Sequence, residues 1–145
     1  MRLVVVAVGR VKDRPLRAAL DEYLTRIRRY HPCDEVEIPD GPLPRVAQAI
    51  TRATAGANVI ALEVNGRALT SEAFSAAVER WGSRGKGVVA VLIGGADGLP
   101  PEVSAAAADR FSLSTLTFPH RLARLVLVEQ IYRAMTILRG EPYAH

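Results

Sequence analysis

Short β-branched runs alternate with helically spaced apolar residues along the whole chain, and no other feature constrains its fold as strongly. RLVVVAV (Arg2 to Val8), closed by Gly9, reads as a buried strand. A helix is expected from about Pro15, which suits a first turn, with Leu16, Leu20, Tyr23, Leu24 and Ile27 at helical spacing. Val36 to Ile38 is a short second strand; Pro39 to Pro44 is a loop; and a short helix forms around Val46, Ile50 and Ala53. Asn58 to Val64 is the third strand, ended by an Asn65-Gly66 turn. Leu69, Thr70 and Phe74 then occupy the positions of a hydrophobic staple, opening a helix that carries Val78 and Trp81 and stops at Gly82. Val88 to Ile93 is the fourth strand, Pro101 to Ala108 a short helix, and the segment Phe111 to Phe118 contains the fifth strand. The last helix starts near Arg121 and ends at Gly140.

Such alternation predicts an α/β fold, a mostly parallel sheet flanked by helices on both faces and joined by right-handed crossovers. The 145 residues suit one domain, residues 1–145. Ligands of such sheets bind beyond the carboxyl ends of the strands, which selects Leu62 to Val64, Gly94 to Gly98 and Leu113 to His120. The final helix is apolar around most of its circumference, with Arg124, Glu129, Gln130, Arg133 and Thr136 as its polar positions. An outermost helix so apolar needs cover, which a second subunit in a C2 dimer would supply.

Composition narrows the function. No apolar run approaches the length of a membrane helix and the N-terminus lacks a usual signal peptide, so a cytoplasmic protein is expected. Cys33 is the single cysteine, which excludes an internal disulfide or a thiolate metal cluster within one chain, and no metal is expected. The net charge is +4, and all but Lys12 and Lys86 of the 19 basic residues are Arg, the better fork for phosphates, although genomic base composition explains the bias equally well. The glycines of LIGGADGL invite a phosphate-cradle reading. They match neither G-x-G-x-x-G after a first strand nor a P-loop, which leaves a tight turn or bare backbone laid against a ligand other than a phosphate.

LIGGADGL, FSLSTLTFPHRLARLVLVEQIYRA and the terminus RGEPYAH, with MRLVVVAVGRVKD, EYLTRIRRY and VIALEVNGRALTSEAFS, together resemble the ribosomal RNA large subunit methyltransferase H family, of the SPOUT class of α/β-knot methyltransferases. The resemblance spans the whole chain in order. It implies a deep trefoil knot in the C-terminal half, a homodimer, S-adenosyl-L-methionine as cofactor, and methylation of N3 of a pseudouridine in 23S large-subunit ribosomal RNA. Matched motif by motif, the cofactor contacts fall on Leu62, on Gly94 and on Leu113, Ser114, Thr115, Leu116, Thr117 and Phe118. These are the strand ends that the sheet rule selects independently.

A uracil-type N3 carries a proton, so methylation needs a base or stabilised oxyanions. His120, beside Arg121 and near Arg124, is the candidate for proton handling or substrate contact, against a role as a helix-start residue bonded to backbone. Arg124 is expected to meet RNA or the reacting base. Arg133 either serves the site or pairs with Glu129. Tyr143 belongs to a tail that the family keeps near the active site, while Ala144 displaces His145 from the family's pattern. Two alternatives stay open: a SPOUT-like methyltransferase acting on another RNA, and a nonenzymatic RNA or nucleotide binder.

Overall fold

The computed structural model describes residues 1–143. In chain order its elements are β1 (Arg2–Val8), α1 (Arg14–Ile27), β2 (Cys33–Ile38), α2 (Leu43–Ala53), β3 (Asn58–Ala68), α3 (Ser71–Gly82), β4 (Val88–Ile93), α4 (Pro101–Ala106), β5 (Asp109–Ser112) and α5 (His120–Arg139). The strands form one sheet in the order β2-β1-β4-β3-β5, and every pairing is parallel.

Because crossovers are right-handed, direction of travel decides the face. β1 to β2 and β3 to β4 step the same way and put α1 and α3 on one face; β2 to β3 and β4 to β5 step the other way and put α2 and α4 opposite. The two-residue period of the strands then divides the core. Leu3, Val5, Ala7, Val89, Val91 and Ile93 point at α1, α3 and α5, while Val6, Val8, Ala90 and Leu92 point at α2 and α4. Caps match the local chemistry: Asp13 accepts the Leu16 amide at the start of α1 (3.1 Å), Thr70 accepts the Ala73 amide at the start of α3 (3.0 Å), and Gly140 closes α5 in the left-handed conformation.

Several boundaries differ from expectation. β2 begins earlier, at Cys33, and α2 begins inside the expected Pro39–Pro44 loop, at Leu43. β3 does not end at Asn65-Gly66; its register against β5 slips between Leu62 and Arg67, and pairing then resumes at Arg67 and Ala68. Gly66 permits this, since a Cβ there would lie 2.6 Å from the Phe111 carbonyl carbon. β5 covers only the first two residues of the expected segment, because two serine hydroxyls take over the backbone beyond it. Ser112 Oγ accepts the Ser114 amide (3.3 Å) and donates to its carbonyl (2.8 Å), and Ser114 Oγ accepts the Leu116 amide (2.9 Å).

The helix thought to need a second subunit is largely covered within one chain. α5 packs against α1 and α3, and Leu127, Val128, Ile131, Ala134 and Met135 are buried in the core they share. Its apolarity therefore reports a central position on that face and is no longer an argument for dimerisation. What it leaves outward is a narrower strip that begins at Leu122, half exposed at 51%.

Candidate active site

At the carboxyl ends of β3, β4 and β5 lies a cleft of about 650 Å³ including its open mouth. Its wall comes from the bulge of β3 (Leu62, Glu63, Val64), the glycine turn after β4 (Gly94, Gly95, Gly98, Leu99), the loop after β5 (Leu113, Ser114, Leu116, Phe118) and the start of α5 (His120, Ala123). The bulge of β3 and the loops after β4 and β5 thus converge where the sheet rule directs.

The glycine turn is held by its own backbone. Gly98 donates to the Gly95 carbonyl (3.0 Å) and sits at φ +75°, in the left-handed region. A Cβ on Gly94 would lie 2.5 Å from the Gly98 carbonyl carbon, so Gly94 is required by close backbone packing and also forms part of the cleft wall. The loop after β5 is shaped by the two serine turns, which leave the side chains of Leu113, Leu116 and Phe118 on the wall. Thr115 and Thr117 belong to the same loop, but they are exposed and do not line the cleft. Val64 and Leu116 stand at the mouth, 86% and 71% exposed.

His120, the first residue of α5, is exposed on this wall. Arg124, one turn later, points elsewhere. Its side chain is only 5% exposed; it donates to the Gly9 carbonyl (2.8 Å), to Glu37 (2.6 Å) and to Glu35 (3.3 Å). The expectation that Arg124 meets RNA or the reacting base is corrected: the guanidinium is engaged inside the protein and ties α5 to the end of β1. Arg17 shares the same carboxylates, 2.6 Å from Glu35 and 3.7 Å from Glu37. Burial alone would raise the pKa of Glu37, but hydrogen bonds from Arg124 and the Val11 amide, and the charges of Arg124 and Arg17, hold it below the ordinary carboxylate range.

Arg133 and Tyr143 do not join this cleft in the single chain. They sit together farther along α5, where Arg133 pairs with Glu129 (2.7 Å), Tyr143 donates to Glu129 (2.9 Å), and the guanidinium lies 4.5 Å over the tyrosine ring. Arg133 lies thirteen helical steps beyond His120, about 20 Å along the axis. Burial, then hydrogen bonds with Tyr23 and Glu129, push the Tyr143 hydroxyl well above the usual tyrosine range, which keeps it protonated. His145 lies outside the described residues.

The sheet rule selects Glu63 within Leu62 to Val64, whereas the sequence does not single out Ser112, which also lines the cleft. Glu63 lines the cleft and accepts a hydrogen bond from Ser104 Oγ (2.6 Å). For Ser112 the available signal is the Ser-x-Ser spacing that makes the two turns. Among the described residues no cluster of three or more His, Cys, Asp or Glu is arranged to hold a metal, and no helix is long and apolar enough to cross a membrane. Burial pushes the Cys33 thiol up to about 11, so it stays an inert thiol.

A family model described as a predicted SPOUT methyltransferase matches residues 1–145. The chain is 78% identical over 145 residues to the ribosomal RNA large subunit methyltransferase H of Sorangium cellulosum (strain So ce56), covering 100% of both chains. It is 48% identical over 152 residues to the protein of the same name from Anaeromyxobacter dehalogenans (strain 2CP-1 / ATCC BAA-258), covering 99% of each. Among solved structures, the tRNA (m1G37) methyltransferase of Aquifex aeolicus superposes with a TM-score of 0.59 at 11% identity, over 100% of this chain and 75% of that one. TrmJ from Z. mobilis ZM4 gives 0.59 at 15% identity, over 100% and 73%. These two structural likenesses speak for the fold alone.

Proposed function

Because the chain belongs to the SPOUT methyltransferase family, we propose that its cleft transfers a methyl group from S-adenosyl-L-methionine to N3 of a pseudouridine in large-subunit ribosomal RNA. The observation that carries the reading is the convergence of Leu62, Gly94 and the loop after β5 on one cleft that His120 also lines.

The donor set suits that cofactor. Leu62, Ile93, Leu99, Leu113 and Phe118 offer apolar walls for an adenine ring, and the glycine turn offers backbone with no Cβ in the way. Glu63 puts a carboxylate on the wall of a site whose ligand carries a sulfonium cation. When bound, the cofactor supplies a methyl group already activated by that sulfonium. The protein's part is orientation and proton handling. The rigid glycine and serine turns hold the walls in place without reorganisation, and His120 takes the N3 proton from the acceptor base as the new N–C bond forms.

Arg133 and Tyr143 are too far along α5 to serve the cleft of their own chain. In a homodimer, a second copy brings them to it and covers the exposed Val64, Leu116 and Leu122. With ribosomal RNA as its substrate, the protein acts in the cytoplasm.

The test is a calorimetric titration with S-adenosyl-L-methionine and single-turnover methylation of ribosomal RNA, for wild type and His120→Ala. The variant is expected to keep cofactor affinity within about twofold and to lose about a hundredfold or more in methyl transfer. A silent titration of the wild type removes the methyl-transfer reading, and a loss of only two- or threefold in the variant reduces His120 to a positioning contact.

A further inference from the structure

The buried arginine cluster settles what lies beside the cleft on its β1 side. Arg124 donates to the carbonyl of Gly9, and Glu37, which Arg124 also binds, accepts the amide of Val11 (2.9 Å). Both bonds tie the loop that follows β1 to the first turn of α5. Arg10 and Lys12 flank Val11 in that loop and Arg14 opens α1, while Arg121 follows His120 and precedes Arg124 by three residues, so the two tethers bring the segments that carry these four cations to the same end of the sheet.

All four cations are exposed, and none forms an ion pair among the described residues. The carboxylates that could neutralise them have other partners. Glu35 and Glu37 are held by Arg17 and Arg124, and Asp13 is engaged as the N-cap of α1. Asp40, beside Gly9 and Gly95, offsets one charge and Asp13, which keeps its charge as the N-cap, another, which still leaves the patch positive. The first turns of α1 and α5 carry no acidic residue, and Asp13 together with Asp40 offsets only two of the four cations. Uncompensated like charges held close together destabilise a folded chain unless a polyanion shares them.

We infer that Arg10, Lys12, Arg14 and Arg121 form the surface that grips the phosphates of the RNA around the base presented to the cleft. The inference rests on the methyl-transfer reading of that cleft, since it is the neighbouring His120 wall that gives the patch its place in the reaction. RNA is the partner that the chemistry favours: these are forked or flexible cations without an apolar centre, suited to backbone phosphates rather than to a protein interface with its apolar core.

Two triple variants separate location from net charge. Arg10→Gln/Lys12→Gln/Arg14→Gln removes the cations of the loop and of the first residue of α1. Arg80→Gln/Arg84→Gln/Lys86→Gln removes as many exposed, unpaired cations from the opposite end of the sheet, where α3 leads into β4. For each, binding to deproteinised large-subunit ribosomal RNA is measured across a series of salt concentrations, and cofactor affinity by calorimetry. The first triple is expected to lose about tenfold or more in RNA affinity at moderate salt, with a log–log salt slope shallower by about 2 to 3. Its cofactor affinity stays at the wild-type value, and the second triple matches wild type in both assays. Arg121→Gln, which changes α5 alone, gives an independent slope reduction of about 0.7 to 0.9.

Equal losses in the two triples, or wild-type RNA affinity in the first, overturn the assignment of this surface while wild-type methylation stands. A loss seen with intact ribosomes and absent with deproteinised RNA points to a protein partner and overturns it as well. A wild-type protein that neither binds nor methylates the RNA overturns the methyl-transfer reading itself.

Discussion

Replacing Arg124 by Met retains much of the apolar bulk of the side chain and removes its charge together with its bonds to Glu37, Glu35 and the Gly9 carbonyl. Charge-assisted hydrogen bonds contribute about 1.5 to 3 kcal/mol each, and breaking a buried pair by deleting one partner costs about 3 to 5 kcal/mol. Two features favour the lower end. Glu37 is 29% exposed, so water reaches it, and Arg17 remains to share both carboxylates. A loss of about 3 kcal/mol is therefore expected. Urea unfolding followed by far-ultraviolet circular dichroism, at fixed protein concentration, reads this as a fall in midpoint of roughly 1 to 2 M with unchanged slope. Because the same bonds tie α5 to the loop after β1, cofactor affinity is expected to fall with stability. A variant as stable as wild type to within about 0.5 kcal/mol, yet inactive in methyl transfer, would refute the anchoring role and return Arg124 to the substrate face.

Gly94→Ala forces a Cβ to within 2.5 Å of the Gly98 backbone, and calorimetry should show cofactor affinity at least tenfold weaker, about 1.4 kcal/mol; Gly41→Ala, with nothing within 4 Å, is the matched control, and equal affinities in both dismiss the turn as a ligand contact. Val128→Asp puts an unpaired charge in the core and is expected to unfold the chain, whereas Leu122→Asp, on the outer strip, leaves the circular dichroism intact and weakens the proposed dimer in sedimentation; a folded Val128→Asp protein would contradict the packing of α5. Glu37 has its folded pKa held below the ordinary value near 4.5, so its contribution to stability is complete above that value and is lost as pH falls through the lower, folded one. Urea midpoints measured from neutral into acid should therefore fall less steeply for Glu37→Gln than for wild type, and parallel acid limbs would show that Glu37 is not the group being protonated.

By itself the sequence determined the elements whose free energy is local. A β-branched run closed by Gly9 is enough to specify β1, and Thr70 with Leu69 and Phe74 is enough to start α3, since cap and staple act within one turn. Parallel order and a ligand cleft at three strand ends followed from the alternation of those elements, and Leu62, Gly94 and Leu113 were legible as wall residues for that reason. Tertiary structure decided whatever depends on partners far along the chain. β3 runs past Asn65-Gly66 because β5, some forty residues later, offers a second register to a glycine that can approach it closely. Spacing places Arg124 among the polar positions of α5, but its partners Glu35, Glu37 and Gly9 lie 89, 87 and 115 residues away, and only folding brings them within hydrogen-bond reach. The burial of α5 is decided in the same way. Periodicity measures how apolar a helix is, whereas the identity of what covers it, here α1 and α3 of the same chain, depends on contacts that no local pattern encodes.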